Sequence, residues 1–264
     1  MLIATIPLRA VSKGYDTDNG DWKTMKIMTK TAFTIGLLVM LMAMPVLGAS
    51  INKSVKIEAG GESSGASSVN GSITVGENAV VTGSINTVNG SIRVDDGASV
   101  ENASTVNGGV RLADNVQADD LSTVNGTIKV GESSIVDGEI EAVNGRISVE
   151  KGSTVAGSVG NINGQIELSG ASVGGDVSTV AGDVSVVDGS VVKGDIIVEK
   201  PSSWGWGKSK KRKPRIVIGP GSTVEGVIDV EREVDLYISE TAKVGGVKGE
   251  MSMDDAIRFS GDKP

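Results

Sequence analysis

Histidine and cysteine are both absent from this chain of 264 residues, and aromatic residues make up only 3% of it. Without His the commonest general base and metal ligand is missing. Without Cys there is no disulfide, no thiolate metal site and no Cys nucleophile. No Ser-His-Asp triad, Cys–His pair, His-ligated zinc site or histidine-dependent acyltransferase of the kind found on many β-solenoids can be assembled. The shortage of aromatics leaves Val and Ile to make the core. Proline is missing from Val46 to Lys200, as expected where nearly every backbone N–H joins a ladder between neighbouring strands.

What the chain has instead is repetition. Val69-Asn70-Gly71 returns as Val88-Asn89-Gly90, Val106-Asn107-Gly108, Val124-Asn125-Gly126 and Val143-Asn144-Gly145, always after 18 or 19 residues. Ile162-Asn163-Gly164 and Val180-Ala181-Gly182 continue it, and Ile51-Asn52-Lys53 anticipates it. The fourth and sixth residues from each Val are apolar, as in Ile73 and Val75, Ile92 and Val94, or Ile128 and Val130. Alternation with a β-branched bias marks short half-buried strands, and the Gly, Asp, Asn and Ser between them supply turns. A period this short excludes helix-pair repeats. The reading is an all-β, single-stranded parallel β-helix (β-solenoid) of about ten coils, right-handed by the general preference of parallel crossovers. At a strand spacing of about 4.8 Å, ten coils stack to roughly 48 Å. Like residues stack in such a coil, so Asn70, Asn89, Asn107, Asn125, Asn144 and Asn163 are expected to form a ladder at one inward corner. Asn-Gly hairpins in an antiparallel sandwich are the competing arrangement.

Residues 1–24 carry no repeat and are read as a non-native upstream extension, with Met25 as the true start. Lys26 and Lys30 precede an apolar run from Ala32 to Leu47, closed by Gly48, Ala49 and Ser50. Segment 25–49 is therefore expected to be a secretory signal peptide, making the protein exported, periplasmic or extracellular. The run falls short of the roughly 20 residues that span a bilayer comfortably; if uncleaved, it would serve as an N-terminal membrane anchor. The absence of Cys after it excludes a lipoprotein anchor.

The solenoid is expected over 50–249, with coils opening at Val198 and Val230 and with Val234 and Leu236 as an apolar pair of the last one. Between those two coils lies a basic insertion at 200–215, taken as 14 residues long. It carries Trp204, Trp206, Lys208, Lys210, Lys211, Arg212, Lys213 and Arg215, within a chain of net charge −8. Basic residues beside Trp suit anionic surfaces. For an exported chain these are envelope lipid, lipopolysaccharide or cell wall, with no nucleic acid expected. The alternative is a solvated loop, or one docked on the protein's own acidic flank. Residues 250–264 are read as a C-terminal tail or a cap over the last coil.

No catalytic, metal-ligating or cofactor-binding residue is assigned. Asp95-Asp96, Asp119-Asp120 and Asp254-Asp255 are adjacent carboxylates of the kind usually solvated at turns, and Gly174-Gly175-Asp176 is only a fragment of a calcium-binding repeat. The Val-Asn-Gly-Ser-Ile-x-Val unit and the Gly221 to Gly226 turn (Gly-Ser-Thr-Val-Glu-Gly) resemble bactofilins, polymer-forming bacterial cytoskeletal proteins. The resemblance covers roughly 51–249. It implies a right-handed parallel β-helix that polymerises end to end without nucleotide. An export signal and a basic Trp loop depart from that family, and secreted adhesin-like repeat domains carry similar units. The expected function is a structural or scaffolding protein of the bacterial envelope, not an enzyme, with self-association through open end coils. A secreted adhesin-like module binding an anionic surface or glycan is the alternative, and a polysaccharide-acting β-helix enzyme a remote one.

Overall fold

A computed structural model of the chain describes residues 52–201 and 212–264. The extension 1–24, the signal segment 25–49 and the first two residues of the expected solenoid, Ser50 and Ile51, lie outside the described residues. The rest is a parallel β-solenoid of ten coils, with three short strands to a coil. One coil runs Ile73–Val75, Val80–Val81, Ile85–Thr87, and each strand pairs in parallel with its equivalent one coil on. The second strands of all coils make a separate sheet of ten. The first and third faces merge into one sheet of nineteen, because Ile140–Val149 and Val159–Ser169 pass from one to the other without a break.

Two apolar positions on each first-face strand face inward because side chains alternate along a strand. Parallel pairing then places like on like: Ile73 on Ile92, Ile92 on Val110, and Val110 on Ile128. These side chains are fully buried, and each contributes about 1.5–3 kcal/mol of transfer free energy. The core is thus continuous columns of Val, Ile and Leu, with Val81, Val100 and Val136 closing it from the second face and Ile85, Leu121 and Ile140 from the third.

The register differs from the expected one at the C-terminal side. Val198 stacks on Thr179, not on Val180, because that coil has 19 residues. From Thr179 to Val184 is five residue steps and from Val198 to Ile216 is eighteen, a difference of thirteen inserted residues. The next corner, after Val230, is one residue longer than the others. Leu236 and Ile238 consequently hold the core pair that Val234 and Leu236 were expected to hold, while Val234 is buried in the corner. Ile257–Phe259 adds one more strand on Tyr237–Ser239, so the solenoid reaches into the segment read as tail or cap.

Buried serines at the turn between the first and second faces separate satisfied from unsatisfied groups. Ser153 Oγ donates to Gly131 O at 2.6 Å and accepts the Ser134 N–H at 3.0 Å. Ser222 Oγ, at the equivalent turn, is buried without a partner. Ser153→Ala should therefore cost about 1–3 kcal/mol, the range for orphaning a buried group, while Ser222→Ala should be neutral or stabilising. Urea midpoints of the two variants measure the contrast.

Candidate functional site

The corner between the third and first faces is where Val-Asn-Gly falls. Each Asn Nδ2 donates to Oδ1 of the Asn one coil earlier: Asn89 to Asn70 at 2.8 Å, Asn107 to Asn89 at 2.9 Å, Asn125 to Asn107 at 3.0 Å. Asn144 to Asn125 at 3.2 Å and Asn163 to Asn144 at 3.1 Å extend the run, and Asn70 joins it to Asn52 at 2.5 Å. This column lies on the outside. Asn70, Asn89, Asn107, Asn125 and Asn144 are exposed and Asn163 is half-buried, which corrects the inward corner expected from the sequence.

The reason is visible in the two residues that flank the triplet's Val-Asn pair. The residue before Val faces inward on the third strand, and the chain bends at Val-Asn, leaving both of those side chains on the outer side. The inner side of the bend is filled by glycine backbone. A Cβ at Gly126 would overlap the carbonyl oxygen of Gly108, and one at Gly145 that of Gly126. Glycine is required here for close approach of successive coils.

The inward polar column is threonine, which the sequence reading overlooked. Thr87 Oγ1 donates to Gly71 O at 2.8 Å, Thr105 to Gly90 O at 2.9 Å, and Thr123 to Gly108 O at 2.9 Å, all from buried positions. Ser68 does the same to Lys53 O at 2.9 Å. Asn161 replaces Thr in one coil, reaching Gly145 O at 3.4 Å and accepting from Thr179 at 2.7 Å. The signal was present: Thr precedes Val-Asn-Gly at Thr87, Thr105 and Thr123. A buried carbonyl left by the glycine bend needs a donor, and a short hydroxyl supplies one without filling the corner.

The remaining corner, between second and third faces, uses carboxylates and amides in the same way. Asp120 Oδ1 accepts the Glu139 N–H, Asp176 Oδ1 that of Asp195, and Asp195 Oδ1 that of Val227, each at 2.8 Å. The adjacent carboxylates noted in the sequence are engaged similarly. Asp95 pairs with Arg93 at 2.7 Å, Asp96 accepts the Asp114 N–H at 3.1 Å, and Asp255 accepts from the Ser252 backbone and hydroxyl. Among the described residues no group of three or more Asp or Glu is arranged to hold a metal ion.

After Asn163 the pattern changes. The Asn position becomes Ala181, Lys200 and Arg232, and the Val position becomes Glu199, Glu231 and Glu250 in consecutive coils, by the pairing of Thr179, Val198, Val230 and Gly249. Glu231 accepts the Lys200 N–H at 3.0 Å. Arg232 donates to Val180 O at 3.2 Å and to Arg212 O at 3.3 Å, bridging the coil to the returning end of the insertion.

The predicted surface-binding residues divide here. Trp204, Trp206, Lys208, Lys210 and Lys211 lie outside the described residues. Arg212 forms an ion pair with Asp183, whose other oxygen accepts the Arg215 N–H at 2.8 Å. Lys213 pairs with Glu233 at 2.8 Å. Arg215 opens a strand of the first face and lies over the Tyr237 ring, 4.8 Å from its centroid. The Asp183 partner raises the Arg212 pKa, Glu233 raises that of Lys213, and Lys213 in turn lowers that of Glu233. All three charges are exposed, so these pairs orient the returning chain more than they stabilise the fold. The cations at the end of the insertion are thus turned onto the protein's own acids.

Comparison of the chain with protein-family models, curated proteins and solved structures finds no match.

Thr105→Val should cost about 1–3 kcal/mol by stranding Gly90 O in the interior, whereas Asn107→Ala, whose partners water can replace, should cost about 1 kcal/mol or less; denaturant unfolding ranks the two columns. Burial, and then the neighbouring Glu231, raise the Glu199 pKa from its ordinary 4.5. The folded state thus holds this proton more tightly than the unfolded state, so the carboxylate's cost is present above the raised pKa and disappears below the ordinary one. Glu199→Gln should stabilise the protein near neutral pH, with a gain that fades as the pH falls through that window, as unfolding curves at neutral and acidic pH will record.

Proposed function

We propose that the chain is an exported structural protein of the bacterial cell envelope, a stiff β-solenoid scaffold that self-associates through its end coils. The observation that carries this reading is the parallel strand pairing that passes from coil to coil between Val55–Ile57 and Ile257–Phe259, with the corner Asn, Thr and Asp side chains engaged in coil-to-coil bonds. Side chains used this way stiffen a stack instead of converging on a substrate. Export is supported by Lys26, Lys30 and the apolar run ending at Leu47, and the scaffold role by the resemblance of the Val-Asn-Gly unit to bactofilins. Catalysis has no part in this reading.

A second reading is supported by the way the insertion is mounted. Lys200 and Arg212, on either side of it, are each tied to the solenoid, so both ends of the insertion are held at one corner. Trp204, Trp206, Lys208, Lys210 and Lys211 would then bind an anionic envelope lipid, lipopolysaccharide or wall polymer.

Cell fractionation with mass spectrometry of the N-terminus tests the first reading. The expected result is a chain beginning near residue 50 in the envelope or secreted fraction, giving particles of uniform width in negative-stain electron microscopy. A cytoplasmic chain that keeps residues 25–49 would overturn it. The second reading predicts sedimentation with anionic vesicles that weakens as salt rises and is lost when Lys208, Lys210 and Lys211 are changed to Gln. Arg212→Gln and Lys213→Gln should change it far less.

A further inference from the structure

We infer that the first coil is the self-association surface and that its partner is the first coil of a second copy, so that assembly closes at a dimer. The inference rests on the proposal that end coils mediate self-association, and it narrows that proposal to one end.

The last coil is guarded against stacking. After Val247–Gly249 the chain makes a single turn, Met253–Asp255, and lays Ile257–Phe259 on Tyr237–Ser239. The register puts Arg258 opposite Ile238, in the column where earlier coils carry Val186 and Ile218. Arg258 is exposed, with Nη2 at 3.3 Å from Met253 Sδ, and Met251, Met253 and Ala256 pack against the core beside it. A charge at the inward position of an edge strand opposes continuation of the stack. Any coil placed on it would have to desolvate the guanidinium without supplying an anion.

The first coil has no such charge in its core columns. Val55 and Ala66 are half-buried, whereas Ile73 and Ile85, their equivalents one coil on, are fully buried. Val55 donates its N–H to Ser72 O, and Ile57 O accepts from the Gly76 N–H, both at 2.9 Å. Alternate residues of a parallel strand address opposite neighbours, so Lys56 turns its N–H and C=O toward the outer edge. The asparagine ladder runs in one direction, each Nδ2 reaching back one coil, and Asn52 is its outermost member among the described residues. Half-covered apolar columns beside outward-turned backbone groups form a template for another strand.

Head-to-tail growth needs both ends, and Arg258 blocks one of them. Two first coils can instead meet around a two-fold axis, a self-complementary contact that closes. Antiparallel pairing centred on Lys56 sets the two Lys56 directly across from one another, each diagonal to the other copy's Glu58. Two lysines face to face oppose the pair, and the Glu58 that each Lys56 holds at 2.6 Å, with the other copy's Glu58 on the diagonal, offsets that repulsion.

The test is sedimentation over a concentration series. The chain is expressed at full length, recovered as the cell processes it, and its N-terminus is read by mass spectrometry. The expected result is a dimer with no larger species. Val55→Lys should weaken it on the order of tenfold or more. Lys56→Pro should do the same, since it removes only an outward-turned N–H and leaves every inter-coil bond in place. Arg258→Leu should keep the dimer and add longer end-to-end species. Filaments of the unmutated protein would overturn the one-ended inference and leave self-association standing. Monomers at every concentration would overturn both. A dimer unchanged by Lys56→Pro and lost in Arg258→Asp would place the contact at the opposite end and overturn the inference.

Discussion

Parallel hydrogen bonding between coils is the constraint on which the rest of this molecule depends. Each strand bonds only to the same strand one turn before and one turn after, so a residue's neighbour is its own counterpart 18 or 19 positions away. Whatever occupies a position must tolerate a copy of itself at about 4.8 Å. Valine, isoleucine and leucine do so in the core by packing in columns. Polar side chains do so only where one copy can donate and the next accept.

Three kinds of side chain at two of the corners solve that polar problem in different ways. Asparagine is both donor and acceptor, so it stacks on itself outside the bend. Threonine donates inward to the carbonyls that the glycine bend exposes. Aspartate only accepts, so at the other corner it takes the backbone N–H of the following coil. In the run of Glu199, Glu231 and Glu250, Glu231 accepts the Lys200 N–H of the coil before it, while burial and then Glu231 push Glu199 toward its protonated form. That run coincides with the corner from which the insertion leaves and to which it returns. Arg232, Arg212 and Lys213 occupy the same neighbourhood, and their bonds and ion pairs answer the local acidity.

An end coil breaks the rule of like on like, because it has a counterpart on one side only. At the C-terminal end a methionine-rich turn and Arg258 interrupt the apolar columns instead of extending them. At the other end of the described residues Val55, Ile57 and Ala66 begin those columns without a comparable charged stop. A repeat protein's assembly is governed by such departures from its repeat more than by the repeat itself.

The solenoid was legible in the sequence by itself, because a fixed period, alternating β-branched residues and a proline-free stretch leave few other ways to satisfy the backbone. The same period identified which asparagines would bond to one another. Which side of the wall they occupy was decided only by the tertiary structure, since periodicity says which residues stack and not which way a corner bends. The bend is set by the clearance between successive glycine carbonyls, and it sends Thr inward and Asn outward. Register beyond the insertion was likewise decided in three dimensions. A 19-residue coil and one longer corner shift the core pair to Leu236 and Ile238, a difference that core packing resolves and counting along the chain does not. The pairing of Arg212 with Asp183 and of Lys213 with Glu233 also lies outside local sequence, because it joins residues brought together only when the coils stack.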